Sequence, residues 1–328
     1  MDSFMFAVGV VMPIICMVAV GYALGRTGFM PEKFSTLANT LVFRVFLPAM
    51  LFLNVYKIES IDKIEPAFIL YALGAEAVII LLSFAAVALF CKVRNRKGVL
   101  IQAAFRSNYA LIGIPLAEAM AGEAGVAAAS LLSVVFVPAI NVISVIVLSV
   151  YGHKKGGIGA KRIFFDVLKN PLIISVLAGV ACLFVRSALA SCDIAFRISD
   201  ITPIYYVIEN LAAMATPMAL LVLGARFEFS AVRALRREII FGTLMRTVIA
   251  PTLGIGAALL LFGTAFEGAH YAAFVCAFAT PVAVASAPMS QEMGGDGTLA
   301  GQLVVWTTVV SAFTLFVLSY ILSAAGVF

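Results

Sequence analysis

Residues 106–115 read Arg-Ser-Asn-Tyr-Ala-Leu-Ile-Gly-Ile-Pro, and residues 280–288 read Thr-Pro-Val-Ala-Val-Ala-Ser-Ala-Pro. Each stretch sits inside a long apolar run and carries helix breakers in its middle. A proline removes one backbone donor and frees the carbonyl a turn earlier. Lipid cannot satisfy such groups, so an interrupted helix at membrane depth belongs where it lines a polar cavity. A single interruption reads as a kink, which is common in membrane helices. Two at corresponding places point to a site, where the partial positive charge of helix N-termini suits an anion.

The surrounding chain has the composition of a protein immersed in lipid. Of its 328 residues, 63% are hydrophobic and 12% charged, against about 45–50% and about 25% in soluble domains. A spanning helix needs about 20 apolar residues. Ten segments qualify: 3–24, 34–56, 66–91, 99–121, 124–151, 167–189, 203–225, 238–263, 268–292 and 298–326. The first follows an N-terminus without a basic residue, and Arg26 and Lys33 come after it. That order is the reverse of a cleavable leader.

Orientation follows from the loop cations. The loops after spans 1, 3, 5 and 7 hold fifteen Lys and Arg, while the opposite side holds Lys57, Lys63, Arg186 and Arg197. The positive-inside rule then places the basic loops in the cytoplasm and both termini outside, in a multi-pass protein of the cytoplasmic membrane. The net charge of +5 reports this topology, not nucleic-acid binding. The outer loop 58–66 carries Glu59, Asp62 and Glu65. The basic connector 152–166 reads as a hinge between halves, with membrane lipid headgroups or a partner as the other reading.

The cysteines, Cys16, Cys91, Cys182, Cys192 and Cys276, form no Cys-x-x-Cys pair, and the histidines are His153 and His270 alone. No metal site and no cofactor are expected. His-Glu-x-x-His, Gly-x-Ser-x-Gly and paired aspartates in neighbouring spans are absent, so an intramembrane enzyme is not expected.

The two halves of the chain echo each other. Met12-Pro-Ile-Ile-Cys-Met-Val-Ala-Val-Gly21 matches Asn170-Pro-Leu-Ile-Ile-Ser-Val-Leu-Ala-Gly179. Pro48-Ala-Met-Leu51 matches Pro217-Met-Ala-Leu220, and the stretch from Pro115 to Glu123 matches that from Pro288 to Asp296. The expected organisation is a first repeat over 1–151, the linker 152–166 and a second repeat over 167–328. Five spans is an odd number, so the second copy must lie upside down relative to the first. Inverted repeats are a hallmark of secondary transporters.

These residues resemble the auxin efflux carrier family, which includes plant auxin exporters and bacterial malonate transporter-like proteins. Asn108-Tyr-Ala-Leu-Ile-Gly-Ile-Pro-Leu116 is similar to the family's Asn-x-x-x-x-Gly-Ile-Pro-Leu stretch. Asn170-Pro171 opens the sixth span as in the family. Pro217-Met-Ala-Leu-Leu-Val-Leu-Gly224 is similar to its Pro-x-x-Leu-x-x-x-Gly pattern, and Pro281 with Glu292-Met-Gly-Gly-Asp296 to its ninth helix and turn. The resemblance implies an all-α integral membrane protein of the sodium/proton antiporter type. Its ten transmembrane helices would form a 5+5 inverted repeat with a crossover of broken helices 4 and 9. Spans 1, 2, 6 and 7 would form a scaffold and the others a moving unit, with a homodimer by analogy. It also implies that Asn108, and more loosely Asn141, contact a ligand carboxylate. Ser107 stands where plant members carry proline, so the break here leans on Gly113 and Pro115.

Charges within spans are costly and become functional candidates. Arg106 has three readings: contact with a carboxylate, a partner for Glu76, or an anchor snorkelling to the interface. Arg44, before Pro48, and Arg246, before Pro251, are further cation candidates. Glu76 reads as a proton carrier or as an arginine's partner. Glu118, Glu209 and Glu292 lie near span ends, and His270 reads as a surface residue. Thr280 and Ser286 either bond ligand or satisfy carbonyls of their own helix. The candidate substrate site is therefore Arg44, Arg106, Asn108, Gly113, Pro115, Asn141, Pro281, Ser286 and Pro288, with proton or sodium coupling at Glu76 and Arg246. The expected function is a secondary carrier of small carboxylates. A channel or a membrane receptor for a small acid is the alternative.

Overall fold

A computed structural model describes residues 2–57, 66–152, 164–165, 167–190, 192 and 195–327. The acidic loop 58–65 and nearly all of the linker 152–166 lie outside the described residues. The chain is all-helical, and among the described residues the one β-type contact is an isolated antiparallel bridge between Ser107 and Val282.

The helices are α1 (Asp2–Arg26), α2 (Glu32–Tyr56), α3 (Pro66–Phe90), α4 (Arg94–Phe105), α5 (Tyr109–Gly152) and α6 (Pro171–Ala190). They continue as α7 (Thr202–Ala225), α8 (Phe229–Leu261), α9 (Gly268–Phe278), α10 (Ser286–Glu292) and α11 (Gly297–Ala324). Among the described residues, seven helices are long and apolar enough to cross a membrane: α2, α3, α5, α6, α7, α8 and α11. Val11–Arg26 of α1 and Gly268–Phe278, which is α9, are shorter apolar helices.

Local chemistry sets several boundaries. Asp296 caps α11 by accepting from the Leu299 N–H at 2.9 Å. The Asn170 side-chain oxygen accepts from the Leu172 N–H at 2.9 Å at the start of α6. Both satisfy donors that a helix start leaves orphaned. Helix α5 breaks once, at Ala121 and Gly122, where Gly122 has φ +57°. The boundary expected between residues 121 and 124 falls there, because this left-handed backbone suits glycine alone.

Small residues bring the helices together. Helix α1 packs on α7, α2 on α6, and α9 on α5. Gly21 and Gly25 lie one helical turn apart on α1. A Cβ on Gly21 would run into the Leu221 carbonyl, and one on Gly25 would sit 2.5 Å from the Ala225 oxygen. Gly224 returns the contact against Val18. Close backbone approach of this kind drives helix association in lipid, where the hydrophobic effect between helices is absent. Gly113 does the same between α5 and α9, since a Cβ there would lie 2.8 Å from the Cβ of Cys276.

Gly25→Ala is therefore expected to lower the thermal midpoint in detergent, with an overpacking cost of about 1–3 kcal/mol. Gly9→Ala, where nothing lies within 4 Å, is expected not to lower it. Equal midpoints for the two variants would rule out a tight α1–α7 seam.

Candidate functional site

The two interrupted stretches meet. Helix α4 ends at Phe105, and Arg106 and Asn108 adopt non-helical backbone before α5 begins. Helix α9 ends at Phe278, and α10 starts at Ser286. Between them the two segments exchange backbone bonds: Asn108 N–H donates to the Pro281 carbonyl at 2.8 Å, and Ala283 N–H donates to the Arg106 carbonyl at 3.1 Å. The Val282 N–H is taken by the Thr307 hydroxyl of α11 at 3.1 Å. Thr280 uses its own hydroxyl on the Cys276 carbonyl at 2.9 Å. Of its two readings, the structure selects the intrahelical one.

The carbonyl ends of α4 and α9 need further donors, and Arg246 supplies them. It is fully buried. Its Nε donates to Thr280 O at 2.7 Å, its Nη2 to Ala277 O at 2.8 Å, and its Nη1 to Phe105 O at 3.1 Å and Ala104 O at 3.4 Å. One planar guanidinium thus meets the partial negative ends of two half-helices. Glu76 of α3 is buried as well, and both of its oxygens lack a hydrogen-bond partner. Its electrostatic neighbour is Arg246. The pairing of Glu76 with Arg106 is thus not what the structure shows.

Arg106 is 3% exposed, so it does not snorkel to the interface. Its Nη2 donates to Asn141 Oδ1 at 2.7 Å and its Nη1 to the sulfur of Met289. Among the described residues no carboxylate bonds to it. Nearby, three buried polar atoms have no partner: Asn108 Nδ2, Ser107 Oγ and Ser286 Oγ.

A cavity of about 910 Å³ lies beside the crossover. Tyr109, Pro138 and Asn141 of α5 line it, with Asn54 of α2 and Lys57 just beyond its end. Glu267 and His270 at the start of α9 complete one edge. A second cavity of about 150 Å³ sits among α2, α7, α10 and α11, with Asn39, Arg226, Pro288 and Gln291 in its wall.

Of the sequence candidates, the structure brings Arg106, Asn108, Asn141, Pro281 and Ser286 to one region. Gly113 and Pro115 lie in the first turns of α5, behind Asn108. Pro288 faces the smaller cavity. Arg44 is exposed on a π-helical turn, Val42–Phe46, and lines neither cavity. His270, expected at the surface, is buried because it closes the start of α9: its Nδ1 accepts from the Glu267 N–H at 3.1 Å, and Phe68 covers its ring. Sequence reasoning passed over Tyr109, Asn54 and Lys57. Tyr109 adjoins Asn108, which is a usable signal, whereas Lys57 carries the pattern of a loop cation.

The model of the family described as membrane transport protein matches residues 6–157 and 160–319. The chain belongs to this family, that of the auxin efflux carriers. It is also 24% identical over 323 residues to a protein of Rhizobium meliloti (strain 1021) described as "Putative malonate transporter", covering 97% of this chain and 96% of the relative.

Arg246→Met is expected to lower the thermal midpoint strongly, at a cost of roughly 3–5 kcal/mol, because it leaves several buried carbonyls without donors. Arg246→Lys, with three donors and no fork, should recover part of it. A stable Arg246→Met protein would show that the crossover does not need the guanidinium.

Proposed function

We propose that this membrane transport protein moves small carboxylates through the crossover site by alternating access. The observation that carries the reading is Arg106. It is a buried guanidinium with an amide oxygen and a thioether as partners, joined to a residue of the large cavity's wall. A buried cation lacking a counter-charge is costly. An anion entering the cavity offsets that cost, and the unpartnered Asn108 amide stands one residue from Tyr109 of the wall. The chain's similarity to a protein described as a malonate transporter agrees in charge class.

The finer architecture belongs to the same proposal. The chain would cross the membrane ten times as a 5+5 inverted repeat, with α4–α5 and α9–α10 as its crossing broken helices and both termini outside. The contacts of α1 with α7 and of α2 with α6 fit a scaffold built from spans 1, 2, 6 and 7. Proton or sodium coupling would act at Glu76, whose oxygens have no donors, and pairing of two copies would run through the scaffold.

The test is thermal-shift binding on the detergent-purified protein against mono- and dicarboxylates, including malonate and indole-acetate. At least one acid is expected to raise the midpoint, and Asn108→Ala is expected to reduce that ligand's affinity by about tenfold or more. If no carboxylate in the panel shifts the native protein, the substrate class is wrong.

A further inference from the structure

We propose that Arg106 does not hold the ligand but sets the polarity of the cavity wall by fixing the orientation of the Asn141 amide. The inference rests on the carboxylate reading above and specifies how the site tells an acid from its neutral analogue. A side-chain amide has two ends of opposite character, an oxygen that only accepts and an NH₂ that only donates. A free asparagine in a cavity offers either end by turning about its last torsion. Arg106 removes that choice. A guanidinium has five donors and no acceptor, so the group that faces its Nη2 at 2.7 Å must be the Asn141 oxygen. The NH₂ is thereby turned away from Arg106. Asn141 lines the large cavity, and no described residue accepts from its NH₂.

Arg106 is itself held on several sides. Its N–H donates to Gln102 O at 2.9 Å, its carbonyl accepts from Ala283 N–H, and its Nη1 is tied to Met289, which is fully buried on α10. It is absent from the lining of the cavity. The orientation of the amide is thus imposed from behind the wall. The Asn141 NH₂ is thus the donor that the wall presents to a ligand's oxygens, whereas Asn108, whose NH₂ is also unpartnered, stands one residue outside the lining. A carboxylate accepts at both oxygens. The matching primary amide must bring an NH₂ against an NH₂, a mismatch that a site built for hydrogen bonding rejects strongly.

The experiment compares binding of two acid and amide pairs, malonate with malonamide and benzoate with benzamide. The proteins are the native chain, Arg106→Lys and Arg106→Gln in detergent. Lysine is also donor-only, so Arg106→Lys is expected to keep the native acid-to-amide ratio. Glutamine can accept as well as donate, so Arg106→Gln frees the Asn141 amide to turn. Its acid affinity is expected to fall by about tenfold or more while its amide affinity rises. A fall in acid affinity with amide binding unchanged would mean that Arg106 acts only through its charge, and an unchanged ratio would mean that it is structural. Either result overturns the proposal while leaving the carboxylate reading in place. Native protein that binds neither acid overturns both. If Arg106→Gln does not fold, Asn141→Asp decides: it keeps the tie to Arg106 but turns an acceptor to the cavity. Loss of acid binding with amide binding retained supports the proposal, and undiminished acid binding overturns it.

Discussion

The molecule is organised around backbone groups that an interrupted helix cannot satisfy inside an apolar layer. Breaking two helices at 106–108 and 279–285 leaves N–H and C=O groups at the centre of the protein, where water is scarce and each orphan costs several kcal/mol. The fold answers by crossing the two breaks. Each segment lends the other one backbone bond, Asn108 to Pro281 and Ala283 to Arg106. A hydroxyl from α11 takes a third donor, and Arg246 takes the carbonyls that remain. The tight seat of α5 on α9 at Gly113 is the packing consequence, because the bonds form only if the backbones approach closely.

This arrangement separates two buried guanidiniums by role. Arg246 faces carbonyl oxygens at the ends of α4 and α9, and makes four hydrogen bonds to them. Glu76 lies in its field. Arg106 faces an amide oxygen and a sulfur, both neutral, and it sits on the side where α5 and α10 begin. Helix starts carry partial positive charge. The region around Asn108, Ser107 and Ser286 thus collects positive potential and unpartnered polar atoms, while around Arg246 the guanidinium meets carbonyl oxygens.

What the sequence made legible follows from which interactions are local. Helix breakers act locally, so Pro281 and Pro288 marked the interruption after α9 without any structure, whereas the break after α4 falls at 106–108, ahead of Gly113 and Pro115 on which the sequence had placed it. The site's wiring is not local. Arg106 meets Asn141 across 35 positions and Met289 across 183, and Arg246 reaches back 141 positions to Phe105. Depth along a span made an interfacial anchor one reading of Arg106, but α4 is only twelve residues long, and Arg106 at its end is buried. Arg44 lines neither cavity for the opposite reason. Its helix turns it outward, and a lone sequence offers no way to tell an inward face from an outward one when both are apolar. His270 was misplaced because capping geometry, not hydropathy, holds it.

The two cavities differ in size by a factor that bears on how such a site is reached. The large one includes Lys57 and Glu267 in its wall, and the small one includes Asn39 and Gln291. Asn39 and Lys57 are eighteen residues apart along α2, or about 27 Å at the helical rise, so the cavities lie toward opposite ends of the helices. At the small one, Glu292 of α10 accepts from Asn39 Nδ2 and Thr40 Oγ1, both at 3.0 Å. These bonds bridge α10 to α2, helices that pack mainly on different neighbours. At the large cavity the Lys57–Glu209 ion pair joins α2 to α7. Glu292 thus ties α10 to α2 beside the small cavity. The backbone exchange at the crossover, by contrast, joins the segments that follow α4 and α9.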